Sequence, residues 1–450
     1  MKKIAIHDKK SLIVGLGKTG LSCARYLSAR GVPVAITDSR ERPPGLAELN
    51  QELPDIALFL GGFDPAAFEA AERLVISPGV PMSEPLIQQA IARGVPVVGD
   101  IELFAQVAKA PIAAITGSNG KSTVTTLLGQ MAQDAGINVA MGGNLGDPAL
   151  SLLDDEIELY VIELSSFQLE TTVSLQPKAA VVLNISPDHL DRYQDLQDYA
   201  NTKATLYEHA ETAVFNRDDP MVMAMCHGNE SDRFFTLSEP LEAEYGLRLV
   251  EGERWLCCGE TGLMPASELR IPGLHNIANA LAALAMGFAL GLSHDGMVKT
   301  LKRFSGLSHR TQFVKESKGV RWYNDSKGTN VGACAAALEG LATNDEHKTV
   351  LIAGGIGKDA DFSPLTALVQ QHVRAVILLG QDGPLIAKAV ADVVPVINAV
   401  DMDDAVQLAA NYAEAGDRVL LSPACASFDM FKNYQHRGDA FVDAVARLVP

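Results

Sequence analysis

The stretch Pro111-Ile112-Ala113-Ala114-Ile115-Thr116-Gly117-Ser118-Asn119-Gly120-Lys121-Ser122-Thr123 constrains this chain more than any other. Its apolar run, Pro111 to Ile115, has the length of a buried parallel strand. Gly117, Ser118, Asn119 and Gly120 make a turn, and Lys121-Ser122-Thr123 opens a helix expected to run to about residue 135. Strand, glycine-rich turn and Lys-Ser at a helix start form the arrangement that cradles phosphate. Glycines let backbone N–H groups close on phosphate oxygens, Lys121 supplies a mobile charge, and the Ser122 hydroxyl can ligate Mg²⁺. Five residues before Gly120 stands Ile115 where the usual pattern has Gly, so the loop is a shortened variant. An ordinary strand-to-helix turn is the plain alternative; the chemistry points to an ATP site.

At 450 residues the chain is too long for one core, and about three domains are expected. No apolar run approaches the ~20 residues of a membrane helix. The start, Met1-Lys2-Lys3-Ile4-Ala5-Ile6, has basic residues, but polar residues 7–11 break the apolar part too early for a signal peptide. Six cysteines (Cys23, Cys226, Cys257, Cys258, Cys334, Cys425) form no Cys-x-x-Cys pair. They are expected to be core thiols of a cytoplasmic protein rather than a zinc site. A formal charge of −18 argues against nucleic acid as a partner. Any anionic ligand must therefore be met by local basic residues.

The first segment alternates strands and helices in a doubly wound pattern. A strand at 12–14 leads into Gly15-Leu16-Gly17-Lys18-Thr19-Gly20, a helix at 21–30 and a strand at 34–37 ending on Asp38. This is a dinucleotide-type fingerprint with an acid placed to read a ribose hydroxyl. A nicotinamide cofactor is the obvious guess, although any nucleotide diphosphate meets the same physics, and a structural glycine turn is the plain alternative. Further strands are expected at 56–60, 74–76 and 95–98, with Ser77-Pro78-Gly79 at a strand's carboxyl end. Gly99 to Phe104 reads as a linker and capping turn.

The second segment carries Gly142-Gly143-Asn144, then Leu159-Tyr160-Val161-Ile162-Glu163-Leu164-Ser165-Ser166, a strand ending on one acid. A buried carboxylate is costly unless paired or on a metal, which makes Glu163 a natural Mg²⁺ ligand or a satisfied edge carboxylate. A strand at 181–185 runs into Ser186-Pro187-Asp188-His189-Leu190-Asp191, a candidate metal or phosphate rim. Lys203, on a helix at 196–208, reads by pattern alone as a solvated-face lysine. Residues 212–272 are less regular, with a strand-like run at 248–256. Asn276 and Asn279 share a face near the start of a long apolar helix, an end that attracts anions. The third segment resumes the alternation. Asp325-Ser326-Lys327-Gly328-Thr329-Asn330, Gly354-Gly355-Ile356-Gly357-Lys358-Asp359 and Ser422 to Asp429 are expected to rim one edge of a parallel sheet.

Thr116 to Thr123, Glu163-Leu164-Ser165-Ser166, His275-Asn276-x-x-Asn279, His309-Arg310 and Asn324 to Thr329 together resemble the Mur ligases, ATP-dependent amide-forming enzymes of peptidoglycan assembly. Gly15 to Ser22, Gly143-Asn144, Ser186 to Tyr193 and Ser427-Phe428-Asp429-x-Phe431 are similar to the branch that adds D-glutamate. The resemblance covers nearly the whole chain in order. It implies a three-domain α/β protein. Residues 1–99 would be a Rossmann-like doubly wound domain for the UDP-sugar, 100–306 a central P-loop ATPase-type α/β domain, and 307–450 a Rossmann-like α/β domain for the amino acid.

The implied substrates are UDP-N-acetylmuramoyl-L-alanine, D-glutamate and ATP with two Mg²⁺, in a monomer without membrane partners. Gly117, Ser118, Asn119, Gly120, Lys121, Ser122, Thr123, Asn279, Arg310 and Asp325 would hold ATP. Gly17, Lys18, Thr19, Asp38, Ser39, Ser77, Gly79, Asn144, Ser165 and Gln168 would hold the UDP-substrate. Lys327, Thr329, Lys358, Ser427 and Tyr434 would hold D-glutamate. Lys121, Glu163, His189 and Lys203 would be catalytic, with Ser122, Glu163, His189 and Lys203 as metal ligands. The family lysine matched by Lys203 carries a CO₂-derived carbamate, which turns an ammonium into an anionic ligand. Within the ligase class, another Mur ligase or a folylpolyglutamate-type ligase is the rival. In other classes stand an NAD-dependent dehydrogenase built on the Gly15–Gly20 turn and a binding protein that hydrolyses no ATP.

Overall fold

The computed structural model describes residues 9–271, 273–342 and 347–448. The amino-terminal hexapeptide weighed above as a leader lies outside them. Three sheets follow one another along the chain. The first orders its strands Ala57–Leu60, Val34–Asp38, Ser11–Val14, Arg73–Ile76 and Val97–Val98, all parallel. The chain reverses its winding between Ser11–Val14 and Arg73–Ile76, so the Gly15–Gly20 turn and Ser77-Pro78-Gly79 flank one crevice at the switch point. Two of the three fingerprint glycines are required there: Gly15 stands at φ 97°, and a Cβ on Gly20 would meet the Gly15 carbonyl oxygen at 2.0 Å, whereas one on Gly17 would meet nothing within 4 Å. Gly20→Ala is expected to destabilise the chain by at least ~1–3 kcal/mol, because the obstacle is backbone that cannot rotate away. An unchanged denaturation midpoint would rule out that packing.

The second sheet has nine strands, with Ala179–Val182, Ile112–Thr116, Leu159–Glu163 and Val139–Gly143 adjacent and parallel at one end. At the other end Tyr245–Val250, Glu253–Cys258 and Thr261–Pro265 form an antiparallel meander. The single strand expected at 248–256 is thus two, separated by a turn at Glu251 (φ 52°) and Gly252 (φ 86°). The third sheet orders Gln312–Ser317, Val320–Asn324, Arg418–Leu421, Thr349–Gly354, Val373–Leu379 and Val396–Asn398, antiparallel only at the first pair. Its three central strands send the loops after Asn324, Gly354 and Leu421 to one edge, as expected.

The supposed linker Gly99 to Phe104 is instead a buried helix, Asp100–Ala105. Ile101, Leu103 and Phe104 join Ile13, Leu16 and Leu21 of the first unit and Tyr160 and Ile162 of the second in one apolar cluster. Glu102 goes inside with them because the amides of Val173 and Ser174 donate to its carboxylate. Asp100 instead receives Gln168 on one oxygen, keeps the other, Oδ1, without a hydrogen-bond partner, and has its pKa lifted to about 6 by burial. All six cysteines are free. No helix among the described residues is long and apolar enough to cross a membrane.

Candidate active site at the junction of the three units

The phosphate-type loop leaves the fully buried strand Ile112–Thr116 and enters the helix Lys121–Asp134. Gly117 (φ 145°) and Gly120 (φ 86°) make the turn, and a Cβ on Gly120 would meet Asn279 Oδ1 at 2.3 Å. Asn184 pins the loop from outside: its side chain accepts from Asn119 N at 2.8 Å and donates to Asn119 O at 3.1 Å. Lys121 Nζ donates to the carbonyls of Gly117 (2.7 Å) and Ser118 (2.8 Å). Burial lowers its pKa, against the opposing charges of Glu163 and Asp188. Arg310, from the third unit, donates to Ser122 Oγ at 2.7 Å and so reaches the loop across the joint.

Glu163 ends its strand 2% exposed. One oxygen accepts from Asn144 Nδ2 at 2.5 Å; the other, Oε2, is buried without a hydrogen-bond partner. An orphaned carboxylate oxygen beside a phosphate-type loop suits a cation. His189, at φ 57°, stands edge-on to Phe167. Burial drops its pKa to about 4, with Asp188 opposing and Lys358 and Lys121 adding to the effect, so near neutrality the ring is an uncharged donor of a lone pair. Among the described residues no three His, Cys, Asp or Glu side chains gather as a ready metal cage. The expected set draws on a serine and a lysine instead.

The solvated-face reading of Lys203 is overturned. The side chain is 1% exposed, turned inward from the helix Leu196–Ala204, with Nζ 3.2 Å from Thr116 Oγ1 and 4.6 Å from the Tyr199 ring centre. Burial, reinforced by the charge of Lys121, pushes its pKa well below the ordinary lysine value. Nothing in helical periodicity distinguishes this lysine, because its neighbours Asn201 and Thr202 are also polar.

One cavity of about 890 Å³ is lined jointly by Lys121, Glu163, His189, Lys203, Ser165, Lys327, Thr329, Lys358, Ser427 and Tyr434. A smaller one, about 180 Å³, is lined by Asn119, Gly120, Thr123, Asn279, Arg310 and Asp325. Asp325 is already engaged there: Thr311 N donates to one oxygen at 3.0 Å and Ser422 Oγ to the other at 2.7 Å. Burial lifts its pKa to about 6 against those bonds. A third cavity, about 590 Å³, lies at the first unit's switch point and is lined by Gly17, Lys18, Thr19, Asp38, Ser39, Ser77, Gly79, Asn144 and Gln168. Both Asp38 oxygens are held within the chain, by Leu16 N (2.7 Å) and by Arg40 (2.7 and 2.8 Å). Lys18 Nζ donates to Gly146 O at 2.7 Å.

Sequence reasoning put Asp188 in a candidate metal or phosphate rim and Asn330 in a sheet-edge loop, but gave neither a partner and gave Arg192 no role of its own. Arg192 donates to Pro78 O (2.7 Å) and Glu170 (2.7 Å), tying the first unit to the second. Asp188 accepts from Lys358 Nζ at 2.6 Å and Asn330 Nδ2 at 3.0 Å, tying the second to the third. Burial would raise the Asp188 pKa, but the Lys358 charge, His189 and these bonds outweigh it and hold it at about 2. Residues 142 and 170 positions apart carry no local signal of such a contact.

A phosphate-type loop, a cation-ready carboxylate and basic side chains from a third unit, facing one cavity, define a nucleotide-dependent group-transfer site. Three family models match in order: the Mur ligase MurD-like N-terminal domain over residues 9–99, the Mur ligase middle domain over 115–287, and the Mur ligase glutamate ligase domain over 309–425. The chain is 54% identical over 440 residues, 98% of its length and 97% of the relative's, to the UDP-N-acetylmuramoylalanine–D-glutamate ligase of Nitrosococcus oceani. It is 51% identical to the protein of that name from Pseudomonas putida, over 98% of each chain. This chain belongs to the Mur ligase family. Among solved structures, the UDP-N-acetylmuramate-alanine ligase of Thermotoga maritima has the same fold, with a TM-score of 0.62 at 18% identity over 98% of this chain and 100% of that one. MurF from Acinetobacter baumannii gives 0.61 at 18% identity over 96% and 90%. The Gly15–Gly20 turn thus sits in a Mur ligase amino-terminal domain, which removes the reason for a nicotinamide dehydrogenase.

Proposed function

We propose that this chain joins the amine of D-glutamate to the alanyl carboxylate of UDP-N-acetylmuramoyl-L-alanine, cleaving ATP to ADP and phosphate, in peptidoglycan precursor synthesis in the cytoplasm. The observation that carries the reading is the single cavity onto which Lys121, Glu163, Lys203, Lys358 and Ser427 all open. Residues 1–99 would hold the UDP-sugar, 100–306 ATP and 307–450 the amino acid.

A carboxylate is a poor acyl donor, so its oxygen first attacks the ATP γ-phosphorus, giving an acyl phosphate and ADP. The neutral D-glutamate amine then adds to that carbonyl, and the tetrahedral adduct expels phosphate. Both reactants of the first step are anions, so positioning and charge neutralisation dominate. Lys121 and the loop amides hold the β- and γ-phosphates, and Asn279, Arg310 and Asp325 take the nucleoside side. Lys358, Lys327, Thr329, Ser427 and Tyr434 meet the two carboxylates of D-glutamate. Ser122 and Glu163 would hold one Mg²⁺, and His189 with carbamylated Lys203 a second. When bound, these ions would offset the charge between phosphate and carboxylate. The orphaned Glu163 oxygen and the uncharged His189 ring fit that role. The buried Lys203 amine suits carbamate formation, in which nitrogen bonds to CO₂ and one proton leaves.

Phosphate release from ATP with UDP-N-acetylmuramoyl-L-alanine, scanned across D-glutamate, L-glutamate, L-lysine and meso-diaminopimelate, tests the reading. Turnover should appear with D-glutamate alone, and NAD should be neither bound nor reduced. Turnover with L-lysine or meso-diaminopimelate in its place would move the chain to another branch of the family.

A further inference from the structure

Asn330 occupies a position where three elements from distant parts of the chain meet. Its side-chain oxygen accepts from Ala333 N at 2.8 Å and so caps the eleven-residue helix Val331–Leu341. That cap fixes the amide's orientation and turns its NH₂ group away from the helix. The NH₂ donates to Asn119 Oδ1 at 3.2 Å and to Asp188 Oδ2 at 3.0 Å. Asn119 Nδ2 answers at 3.4 Å to Asn330 Oδ1, so the two amides pair reciprocally. Both donors and both acceptor positions of Asn330 are used, and the residue is 6% exposed.

The partners give the contact its meaning. Asn119 is the middle of the phosphate-type loop, and its backbone is already held by Asn184, which leaves its side chain free to reach the third unit, beside the separate contact of Arg310 with Ser122. Asp188 receives Lys358 on its other oxygen. Thr329 precedes Asn330 directly. The carboxyl-terminal residues assigned above to D-glutamate are thus tied to the phosphate loop through one buried amide.

We propose that Asn330 is a positioning residue that locks the amino-acid side of the cavity onto the phosphate-type loop through Asn119 and Asp188. The proposal rests on the ligase reading above. It makes closure of the third unit conditional on the loop's shape, so the amine is presented only where the phosphoryl chemistry has been assembled. A residue that merely caps a helix would have no such consequence, and the two roles are separable by substitution. Aspartate caps a helix as well as asparagine does. Asn330→Asp therefore keeps the cap, removes both outward donors and sets a second carboxylate against Asp188.

For Asn330→Asp we expect kcat/KM in D-glutamate to fall about 10- to 100-fold, the scale of a lost hydrogen bond to a charged group. KM for the UDP-substrate should stay within about twofold and melting should be unchanged, because the cap and the first unit's cavity are intact. Small-angle scattering of the unliganded chain should show a larger radius of gyration. Asp188→Asn in that background transposes the pair, amide for carboxylate, and should recover at least about tenfold of the loss and the parental radius. Asn330→Ser, a capping residue too short to donate across the joint, should behave like Asn330→Asp without the added repulsion, which covers the case in which the aspartate variant fails to fold. Parental kcat/KM and scattering in the folded single variants, or a double variant no better than Asn330→Asp alone, would overturn the proposal. A parent chain inactive with D-glutamate would instead overturn the ligase assignment, and the scattering series would still decide the lock.

Discussion

Lys121→Ala is expected to abolish measurable turnover while leaving the fold intact. The side chain reaches back over the loop to the carbonyls of Gly117 and Ser118, and a well-placed donor of this kind is worth ~2.7–4 kcal/mol in the transition state, or about 10²- to 10³-fold in rate. Its surroundings raise the stakes. Arg310 and Lys358 both depress its pKa, and Lys327 feels Lys121, Arg310 and Lys358 in turn, down to about 8, with burial the largest cause. A chain of formal charge −18 has therefore gathered Lys121, Arg310, Lys327 and Lys358 around one cavity, with Glu163 and Asp188 among the acids that face them. Such a cluster is costly without anionic ligands and becomes favourable with them. The check is kcat at saturating ATP together with a melting curve. Near-parental turnover in a folded variant would remove the loop from the chemistry.

What the sequence disclosed, and what it withheld, follows from the range of the signals. Buried parallel strands announce themselves as short apolar runs, so Ile112–Thr116, Leu159–Glu163 and Thr349–Gly354 were legible, and with them the loops at their carboxyl ends. The polar edge strand Gln312–Ser317 has no apolar run and was missed. The turn inside the 248–256 run was missed because Glu251 and Gly252 interrupt the strand without a proline or an Asn-Gly pair. The helix Asp100–Ala105 looked like a linker because Asp100 and Glu102 are acids; the partners that meet them, Gln168 for one Asp100 oxygen and Val173 and Ser174 for Glu102, lie 68 to 72 residues away and leave no local signal. Candidate ligands at strand ends could be read from residue type and position. Asn330 could not, since its importance lies in Asn119, 211 residues away, and Asp188. Lys203 was visible only through the family resemblance.

Lys203 is also where the largest second effect is expected. Lys203→Ala should lose at least about 10²-fold in kcat, and a small carboxylate such as acetate should restore part of it. The argument starts from burial: at 1% exposure, with one hydroxyl contact at 3.2 Å and the charge of Lys121 in range, an ammonium here is disfavoured. The neutral amine that remains is the form able to add CO₂. The resulting carbamate is an anion facing a cavity lined by cations, and it puts a carboxylate-like group where an ammonium would repel any metal ion held by Glu163 and His189. Acetate can enter the space left by alanine and supply the same charge. Lys203→Arg should stay inactive with or without acetate, because guanidinium keeps its charge under burial that neutralises an amine and fills the same space. An independent reading comes from ¹³C-bicarbonate, which should give a carbamate carbon signal in the parent and none in either variant. If Lys203→Ala turns over like the parent, or if the parent shows no carbamate signal while fully active, the buried lysine is a packing element under Thr116 and the anionic-ligand assignment fails.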